Sequence, residues 1–386
     1  MTSGDAKARA AQKIADLSRH GLDVAAFWRE CDQVIAPIVQ VLLRPCWFTM
    51  DPASLIVTSH YDAAMQLPPD YLTYEYSEDD AMNLSRLVRS ASGTSTIHEA
   101  THGDPSRSEG WQRFVQPFGG DQQLAVALRT RRGVAAGIVT LYRAPDSPMF
   151  TADDAAFMKS ISADLAVGAQ RGLLVGEAAE HGPNTPVLIV LDDRWQVQSM
   201  TPGAESMLRV LPGGSSWRER GALPAVVLSV AGRTVAAPDA ADELASARVH
   251  TEDGRWVTVH GTPLISGLQQ RTAIIIEPAG HDRVSPLLME IYALTEREKD
   301  VTRLVLRGES TPRMAAELFL SPQTVQQHLK SVFEKTGVHT RRELVGQVFQ
   351  NHYEPRVRDN DARAASKRPL IGTLAPGRGA AAQRGP

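Results

Sequence analysis

Between Ser321 and Gly337 the sequence carries amide and charged side chains at helical spacing. Five polar residues share one helical stripe: Gln323, Gln326, Gln327, Lys330 and Glu334. Four apolar residues share the opposite stripe: Val325, Leu329, Val332 and Phe333. A glutamine amide donates and accepts hydrogen bonds and can therefore pair with an adenine edge, while a lysine attracts phosphate. A helix with these two faces could lie in the major groove of double-stranded DNA, although an ordinary solvated helix has the same pattern.

A second pattern with chemical potential is H-E-x-x-H, formed by His98, Glu99 and His102. On a helix this spacing places two imidazoles one turn apart to bind zinc, with the glutamate as general base. The flanking sequence disfavours a helix, because Ser, Gly and Thr crowd the residues before it and Pro105 follows soon after. A third ligand is also missing at the position where such sites extend. We therefore expect polar loop residues here and keep a zinc-dependent hydrolase as the alternative function.

The amide-bearing helix is preceded by two shorter predicted helices. Thr295 and Glu298 form an S/T-x-x-E capping box that starts the first helix, and Gly308 can end it. A second helix begins near Pro312, in a first turn where a missing N–H costs little. After a three-residue turn, Ser321 caps the third helix. Helix, glycine, short helix, tight turn and capped helix predict a helix-turn-helix.

Residues 294–338 resemble the DNA-binding domain of LuxR-type transcriptional regulators, an all-α domain of four helices. The resemblance rests on Leu294, Thr295, Arg297, Glu298, Gly308, Ser310, Ala315, Ala316, Leu318, Phe319, Ser321, Thr324, Val325, His328, Leu329, Lys335, Gly337 and Val338, followed by Arg341 and Glu343. Sigma-factor region 4 shares part of this pattern, but the upstream sequence lacks the basic, aromatic helices of a sigma factor.

The resemblance implies DNA contacts for individual residues. The candidate DNA-binding residues are Ser321, Thr324, Gln326, Gln327, Lys330 and Lys335. Thr324 and Lys335 correspond to phosphate contacts of the family, and Gln326, Gln327 and Lys330 to positions that face the groove. Position 326 is commonly lysine in the family, so the preferred DNA sequence cannot be copied from relatives.

A fourth helix is predicted from Thr340, which with Glu343 forms another capping box. Its apolar stripe consists of Leu344, Val345 and Val348. In the family this helix supplies the dimer contact. We therefore expect a homodimer that binds two half-sites about one DNA turn apart.

Residues 21–180 are predicted to form an α+β domain behind a helical extension at 1–20. An apolar helical face before Pro37 is followed by strand-like segments at 46–50, 55–58, 124–128 and 138–142. A long helix follows Thr151, with Asp153 and Asp154 near its positive end. Helix, antiparallel strands and closing helix resemble a GAF domain, a fold that senses small molecules.

Residues 181–284 are predicted to form a second α+β domain behind a linker at 181–186. Strand-like segments at 187–191 and 195–198 precede a helix capped by Thr201, and further strands lie at 247–251, 256–260 and 274–277. This order resembles a PAS domain, another sensor fold. A phosphorylated receiver is an alternative because VLIVLDD at 187–193 could be its first strand. Its candidate phosphate acceptors, Asp239 and Asp242, have no strand before them.

Length and composition fit this division. A chain of 386 residues suits two to three domains, and 42% hydrophobic with 22% charged residues is typical of a soluble globular protein. No apolar run approaches the roughly 20 residues that cross a membrane. Two cysteines, Cys31 and Cys46, indicate buried thiols rather than a disulfide framework and fit the cytoplasm. Residues 353–386 are predicted to be a disordered basic tail.

The sequence thus predicts a multidomain, cytoplasmic regulator of transcription. It would consist of GAF-like (21–180) and PAS-like (181–284) α+β domains and an all-α LuxR-type helix-turn-helix domain (285–352). The expected partners are double-stranded DNA and a second copy of the chain, with RNA polymerase and an unidentified small molecule as further candidates. We expect binding without catalysis, and neither a metal, a cofactor nor a membrane.

Overall fold

Two five-stranded sheets and a separate group of helices follow one another along the chain. The structure, a computed structural model, describes residues 3–42, 44–61, 67–77, 80–173, 186–236, 245–266, 269–279, 294–306 and 309–341, together with Met289, Tyr292 and Leu344. Predictions for residues 181–185, Asp239, Asp242, Gly308, Glu343, Val345, Val348 and the tail at 353–386 lie outside these residues.

The first sheet unit covers residues 3–173. Its strands are β1 (Cys46–Met50), β2 (Val57–Tyr61), β3 (Thr94–Thr96), β4 (Gln122–Arg129) and β5 (Ala135–Arg143). Its helices are α1 (Ser3–Leu17), α2 (Val24–Ile35), α3 (Pro69–Ser77), α4 (Leu84–Arg89), α5 (Ile97–Ala100), α6 (Glu109–Phe114) and α7 (Ala152–Gly172). The strands pair antiparallel in the order β2-β1-β5-β4-β3.

Both faces of this sheet are covered by helices. Trp47 belongs to the cluster formed with α1, α2 and α7, where its ring stacks on Trp28 with centroids 4.3 Å apart. Its neighbour Phe48 belongs to the cluster on the opposite face, where it stacks on Tyr71 of α3. Because both faces are buried, β1 is apolar at almost every position. The strand-like segments predicted at 124–128 and 138–142 are confirmed as β4 and β5, which pair as an antiparallel hairpin with Gly133 in its turn at φ +82°.

The second sheet unit covers residues 186–279. Its strands are β6 (Val187–Leu191), β7 (Val197–Met200), β8 (Ala245–His250), β9 (Trp256–Ser266) and β10 (Gln269–Pro278), in the order β7-β6-β10-β9-β8. Its helices are α8 (Ala204–Val210), α9 (Trp217–Arg220) and α10 (Ala225–Ala236). Thr201 does not cap α8 as predicted. Gly203 occupies the cap position, and the Thr201 hydroxyl instead accepts a hydrogen bond from Leu188 N at 2.9 Å.

The receiver alternative is wrong. A receiver has a parallel sheet, because each strand returns through a helix to the same end. The strand that contains VLIVLDD pairs antiparallel with both of its neighbours. The remaining pairs of this sheet are antiparallel as well.

One hydrophobic cluster extends across both sheet units, in addition to the cluster between the first sheet and α1, α2 and α7. The cluster around Phe48 of β1 continues through α3 into α10 and the inner face of the second sheet. A Cβ added to Gly232 of α10 would lie 2.6 Å from the Cα of Thr73 in α3, so the two helix backbones approach closely. At a second contact, Asp51 and Arg248 form a buried ion pair, with Arg248 Nε donating to Asp51 Oδ2 at 3.0 Å.

The helix-turn-helix unit begins at Leu294 and has its own core. Its helices are α11 (Glu296–Leu306), α12 (Thr311–Leu318) and α13 (Pro322–Thr336). Buried side chains from all three helices, among them Val301, Met314 and Leu329, form one cluster with Leu294 and Leu344. This cluster contains no residue of the two sheet units among the described residues. The unit therefore packs around an independent centre.

Candidate DNA-binding site

The predicted two faces of α13 are confirmed by burial. Val325, Leu329 and Val332 are buried against α11 and α12. All members of the polar stripe are exposed: Gln323, Gln326, Gln327, Lys330 and Glu334. The amides thus point away from the core, where a DNA groove could receive them.

Caps and turns hold α13 in place. Ser321 Oγ accepts a hydrogen bond from Thr324 N at 3.0 Å and also bonds the Thr324 hydroxyl at 2.8 Å. Phe319 ends α12 in the left-handed conformation, at φ +56°, and Gly337 ends α13 at φ +73°. The predicted capping box is also confirmed, because Glu298 N donates to Thr295 Oγ1 and Thr295 N donates to Glu298 Oε2. The start of α13 therefore presents two hydroxyls beside a positive helix end, a favourable place for phosphate.

Gln326 is oriented by a contact that the sequence pattern did not predict. Its Nε2 donates to Thr311 Oγ1 on α12 at 3.3 Å. The same hydroxyl accepts a hydrogen bond from Arg341. Gln327 and Lys330 lack such side-chain bonds to the described residues, so they are free to turn towards a base or a phosphate.

Lys335 is held by an acidic partner rather than free. Its Nζ donates to Glu298 Oε2 at 2.5 Å, and Ser331 Oγ donates to Glu298 Oε1 at 2.7 Å. The Glu298 side chain is 6% exposed and that of Lys335 28%. Burial would raise the pKa of Glu298, but the hydrogen bonds from Lys335, Ser331 and Thr295 lower it to about 2. The charge of Lys335 is therefore already compensated inside the unit, which weakens the expectation of a phosphate contact.

Other basic residues of the unit are also paired with acids. Arg303 bonds Asp300 at 2.8 Å, and Arg313 bonds Glu309 at 3.2 Å. Lys330 makes no ion pair with any described residue, although it lies on the exposed stripe. Of the two lysines of α13, Lys330 is therefore the one whose charge is not compensated by an ion pair with a described residue. The sequence pattern did not predict this difference between the two lysines.

Leu344, predicted as a dimer contact, lies in the core of the unit. Its side chain is 2% exposed and packs in the same cluster as Leu294 and Val338. Its apolar surface is thus already buried within one chain. The dimer contact expected of this helix is left to Val345 and Val348, which lie outside the described residues.

The H-E-x-x-H residues do not form the arrangement that zinc binding requires. Helix α5 ends at Ala100, and His102 lies beyond it at φ +56°. The Glu99 carboxylate is engaged at the helix start, where it accepts a hydrogen bond from Thr96 N at 3.1 Å. The two imidazoles therefore do not share one helix face, and the zinc-hydrolase alternative has no geometric support.

Comparison with known proteins decides the family. Residues 292–348 match the model described as bacterial regulatory proteins, luxR family. The spore germination protein GerE of Bacillus subtilis is 35% identical over 57 residues, which are 15% of this chain and 77% of that protein. The chain belongs to the LuxR family. Its helix-turn-helix unit is a LuxR-type DNA-binding domain.

Other relatives of this LuxR-family chain match the same segment. A putative HTH-type transcriptional regulator of Mycobacterium tuberculosis is 47% identical over 56 residues, 14% of this chain and 6% of that protein. The probable transcriptional regulatory protein NarL of the same species is 37% identical over 57 residues, 15% of this chain and 26% of that protein. The chain therefore covers only a small part of these relatives' length.

The solved structures that resemble the chain do so weakly. The Vibrio cholerae VqmA dimer without its target DNA is 13% identical, covering 43% of this chain and 82% of that one, with a TM-score of 0.19. The E. coli DhaR(N)–DhaL complex is 11% identical, covering 72% and 90%, with a TM-score of 0.21. Scores this low do not establish a common fold for the sheet units.

No helix of the described part of the chain is long and apolar enough to span a membrane.

Proposed function

We propose that this LuxR-family chain is a dimeric, sequence-specific regulator of transcription whose sheet units control its helix-turn-helix unit. The observation that carries this proposal is the exposed stripe of α13, with Gln326, Gln327 and Lys330 on a helix of the family's DNA-binding domain. Gln326 and Gln327 would contact base edges and Lys330 the adjacent backbone or a guanine. Ser321 and Thr324 would bind phosphate at the start of the helix.

Lys335 acts in this proposal mainly by positioning. Its ion pair with Glu298 ties the end of α13 to the start of α11. This fixes the angle at which the amides meet the groove. Its contribution to phosphate binding is smaller than that of an unpaired lysine, because Glu298 cancels its charge.

The sheet units are GAF-like and PAS-like sensors in this proposal. The support is the pair of antiparallel sheets with the same strand order, each covered by helices. A cytoplasmic location, a homodimer contact through Val345 and Val348, and contact with RNA polymerase complete the proposal. Control by a sensor requires that its ligand bind the two states of the regulator with unequal affinity.

The test is a titration of variants on DNA. The preferred duplex is first selected from random sequences with the full chain. Gln326→Ala and Gln327→Ala should each cost about 1–3 kcal/mol on that duplex and little on random DNA, because an amide lost from a base edge affects only the specific complex. Fluorescence anisotropy at several salt concentrations measures both affinities.

Glu334→Gln is the matched control on the same stripe. Removing an exposed carboxylate near the DNA should strengthen binding to both duplexes alike, because only the phosphate attraction changes. If the two glutamine variants lose equal affinity on both duplexes, α13 does not read bases and the proposed function fails.

A further inference from the structure

A cleft of about 500 Å³ runs along the outer edge of the second sheet. It follows β7, which is the edge strand, from Trp195 to Met200. Trp217 of α9 and Leu228 of α10 form its other side, and Pro69 at the start of α3 reaches it from the first sheet unit. Its size is that of a small-molecule site.

The cleft is distinct from the interior of the sheet unit. Side chains of the second sheet and of α10 pack together in the core, among them Ile189, Val230 and Ile274, all fully buried. None of these three residues lines the cleft. A ligand could therefore occupy the cleft while the core of the unit stays packed.

Trp195 is held in a conformation that its residue type disfavours. Its φ is +63°, in the left-handed region where glycine, asparagine and aspartate are favoured over a bulky aromatic residue. The turn is held by Asp192, whose Oδ1 accepts hydrogen bonds from Arg194 N at 3.0 Å and Gln196 N at 2.8 Å. Residues in such conformations are held by the surrounding structure and cluster at functional sites such as ligand-binding sites. The indole of Trp195 lines the cleft.

The charge of the residues that line the cleft indicates which kind of ligand it would bind. Arg218 is the charged residue among those that line the cleft. Its Nε donates to Glu205 Oε1 at 2.8 Å, but the same carboxylate also pairs with Arg209 at 3.3 Å. Arg218 also donates through Nη2 to Glu205 Oε2 at 2.5 Å. Because Arg209 shares the same carboxylate, the three side chains together carry one net positive charge beside the cleft.

We propose that this cleft binds a small planar aromatic carboxylate. The ring would lie against the indoles of Trp195 and Trp217 and the side chain of Met200, with its carboxylate towards Arg218. Because Pro69 and Leu228 belong to the closely packed helices α3 and α10, an occupant touches both sheet units at their joint. The bound ligand would stabilise one arrangement of that joint. The further step, that binding in the cleft changes the affinity for DNA, rests on the proposed function.

The first test uses 2-naphthoate as the probe and isothermal titration of the full chain. Two compounds serve as comparisons: decahydro-2-naphthoate, which has the same carbon skeleton without planarity, and 2-naphthamide, which lacks the charge. We expect the saturated acid to bind about tenfold more weakly, because it cannot stack on indole. The amide should bind about threefold more weakly, because an exposed charge contributes less. No binding of 2-naphthoate up to its solubility limit, or equal binding of the saturated acid, overturns the proposal.

Variants then locate the site. Trp195→Asn removes the ring but suits the left-handed backbone, so we expect a loss of about tenfold in 2-naphthoate affinity with a folded protein. Trp195→Phe keeps a smaller ring and should lose less. Arg218→Gln should lower the affinity for 2-naphthoate and leave that for 2-naphthamide unchanged. Arg107→Gln, an exposed arginine paired with Asp104 elsewhere, is the charge control and should change neither.

The outcomes separate binding from regulation. Unchanged affinity in both Trp195→Asn and Arg218→Gln places the ligand elsewhere and overturns the proposal. DNA titrations with and without 2-naphthoate test the regulatory consequence, which is overturned if the occupied cleft leaves DNA affinity unchanged. Absence of specific DNA binding under every condition contradicts the proposed function instead and does not affect the calorimetric result.

Discussion

The helix-turn-helix unit and the two sheet units depend on contacts of very different sequence separation. In the helix-turn-helix unit, the capping box, the tight turn and the polar stripe all lie between Thr295 and Gly337. In the sheet units the decisive contacts join distant residues, such as Asp51 with Arg248 and Thr73 with Gly232. A local pattern is visible in a sequence, whereas a long-range contact exists only once the chain has folded. Function is therefore easier to infer for the first region than for the second.

This difference can be measured because the two regions have separate cores and separate probes. The six tryptophans of the chain all lie in the sheet units: Trp28, Trp47, Trp111, Trp195, Trp217 and Trp256. Tryptophan fluorescence thus follows the sheet units alone, while far-ultraviolet circular dichroism also follows α11, α12 and α13. Two transitions in urea would show that the regions unfold independently.

The largest effect is expected from the ion pair between the sheet units. Asp51→Ala removes the carboxylate partner of Arg248, and both side chains are well buried, at 3% and 13% exposure. Breaking a buried pair by removing one partner costs about 3–5 kcal/mol. We expect the free energy of unfolding obtained from the fluorescence transition in urea to fall by that amount. The transition of the helix-turn-helix unit, followed by circular dichroism, should stay unchanged.

Asp16→Ala is the control for this variant. Asp16 pairs with Arg19 on the surface, where an ion pair contributes about 0–1 kcal/mol. If Asp51→Ala shifts the fluorescence transition no more than Asp16→Ala, the joint between the sheet units is not stabilised by this pair. If both transitions shift together, the regions are coupled and the comparison above is wrong.

A second effect, of similar size at most, concerns pH and the carboxyl group of Glu75 on α3. Burial raises its pKa from the ordinary value of 4.5 to about 8. The nearby Asp80 also raises this pKa, whereas backbone hydrogen bonds from Leu84 and Ser85 and the charge of Arg86 lower it. The folded state therefore binds a proton that the unfolded state releases between these two values. Stability from this group is complete below pH 4.5 and is lost as pH rises towards 8, by at most about 1.4 kcal/mol per pH unit.

The measurement is urea unfolding followed by tryptophan fluorescence at about pH 5 and about pH 8. Glu75→Gln should remove the loss of stability that comes from this carboxyl group, because the amide does not titrate. The helix-turn-helix unit should show no loss over this range, since the pKa of Glu298 is lowered to about 2 and its stabilisation disappears only in acid. Burial lowers the pKa of His60 and of His250 to about 4, so these two groups favour the folded state as pH rises and act equally in the wild type and in Glu75→Gln. The same change in unfolding free energy between the two pH values in both proteins would contradict the raised pKa of Glu75.

Much of the fold could be predicted, but unevenly. The stripe of α13, the capping box at Thr295 and the hairpin at Gly133 all appear in the structure, because each depends on neighbours within one or two turns. Helix α10 was not predicted from the sequence, and its role is to pack against α3 across the unit boundary. Its composition is apolar on nearly all sides, so no helical periodicity marks it.

The candidate site shows the same limit within a small unit. The positions of Gln326, Gln327 and Lys330 followed from helical spacing alone. The partner of Lys335 did not, because Glu298 is 37 residues away and was already explained as a helix cap. Glu298 caps α11 and also binds Lys335 of α13. Its neighbours in the sequence indicate only the first of these roles. Leu344 is similar, since an apolar stripe does not say whether it faces its own core or a second chain.

The smallest predicted effect separates two lysines of α13 that look alike in sequence. Lys330 makes no ion pair with a described residue, whereas Lys335 donates to the buried Glu298. Lys330→Ala should therefore flatten the dependence of log affinity on log salt by about one unit on random DNA, because one phosphate contact is lost. Lys335→Ala should change that slope by clearly less, since Glu298 already cancels the charge.

Lys335→Ala should instead weaken the fold, because it leaves the Glu298 carboxylate, 6% exposed, without its cationic partner. Loss of a hydrogen bond to a charged group costs about 1.5–3 kcal/mol. We expect the free energy of unfolding from the circular-dichroism transition to fall by this amount, while the fluorescence transition stays unchanged. Lys335→Met with Glu298→Gln removes both charges together and should recover part of the stability while leaving the salt slope as in the single variant. The same two readouts applied to Lys330→Ala should give the opposite result, a changed slope and an unchanged transition. Equal slope changes in the two lysine variants would mean that Lys335 leaves Glu298 to bind phosphate, and that the ion pair belongs only to the DNA-free state.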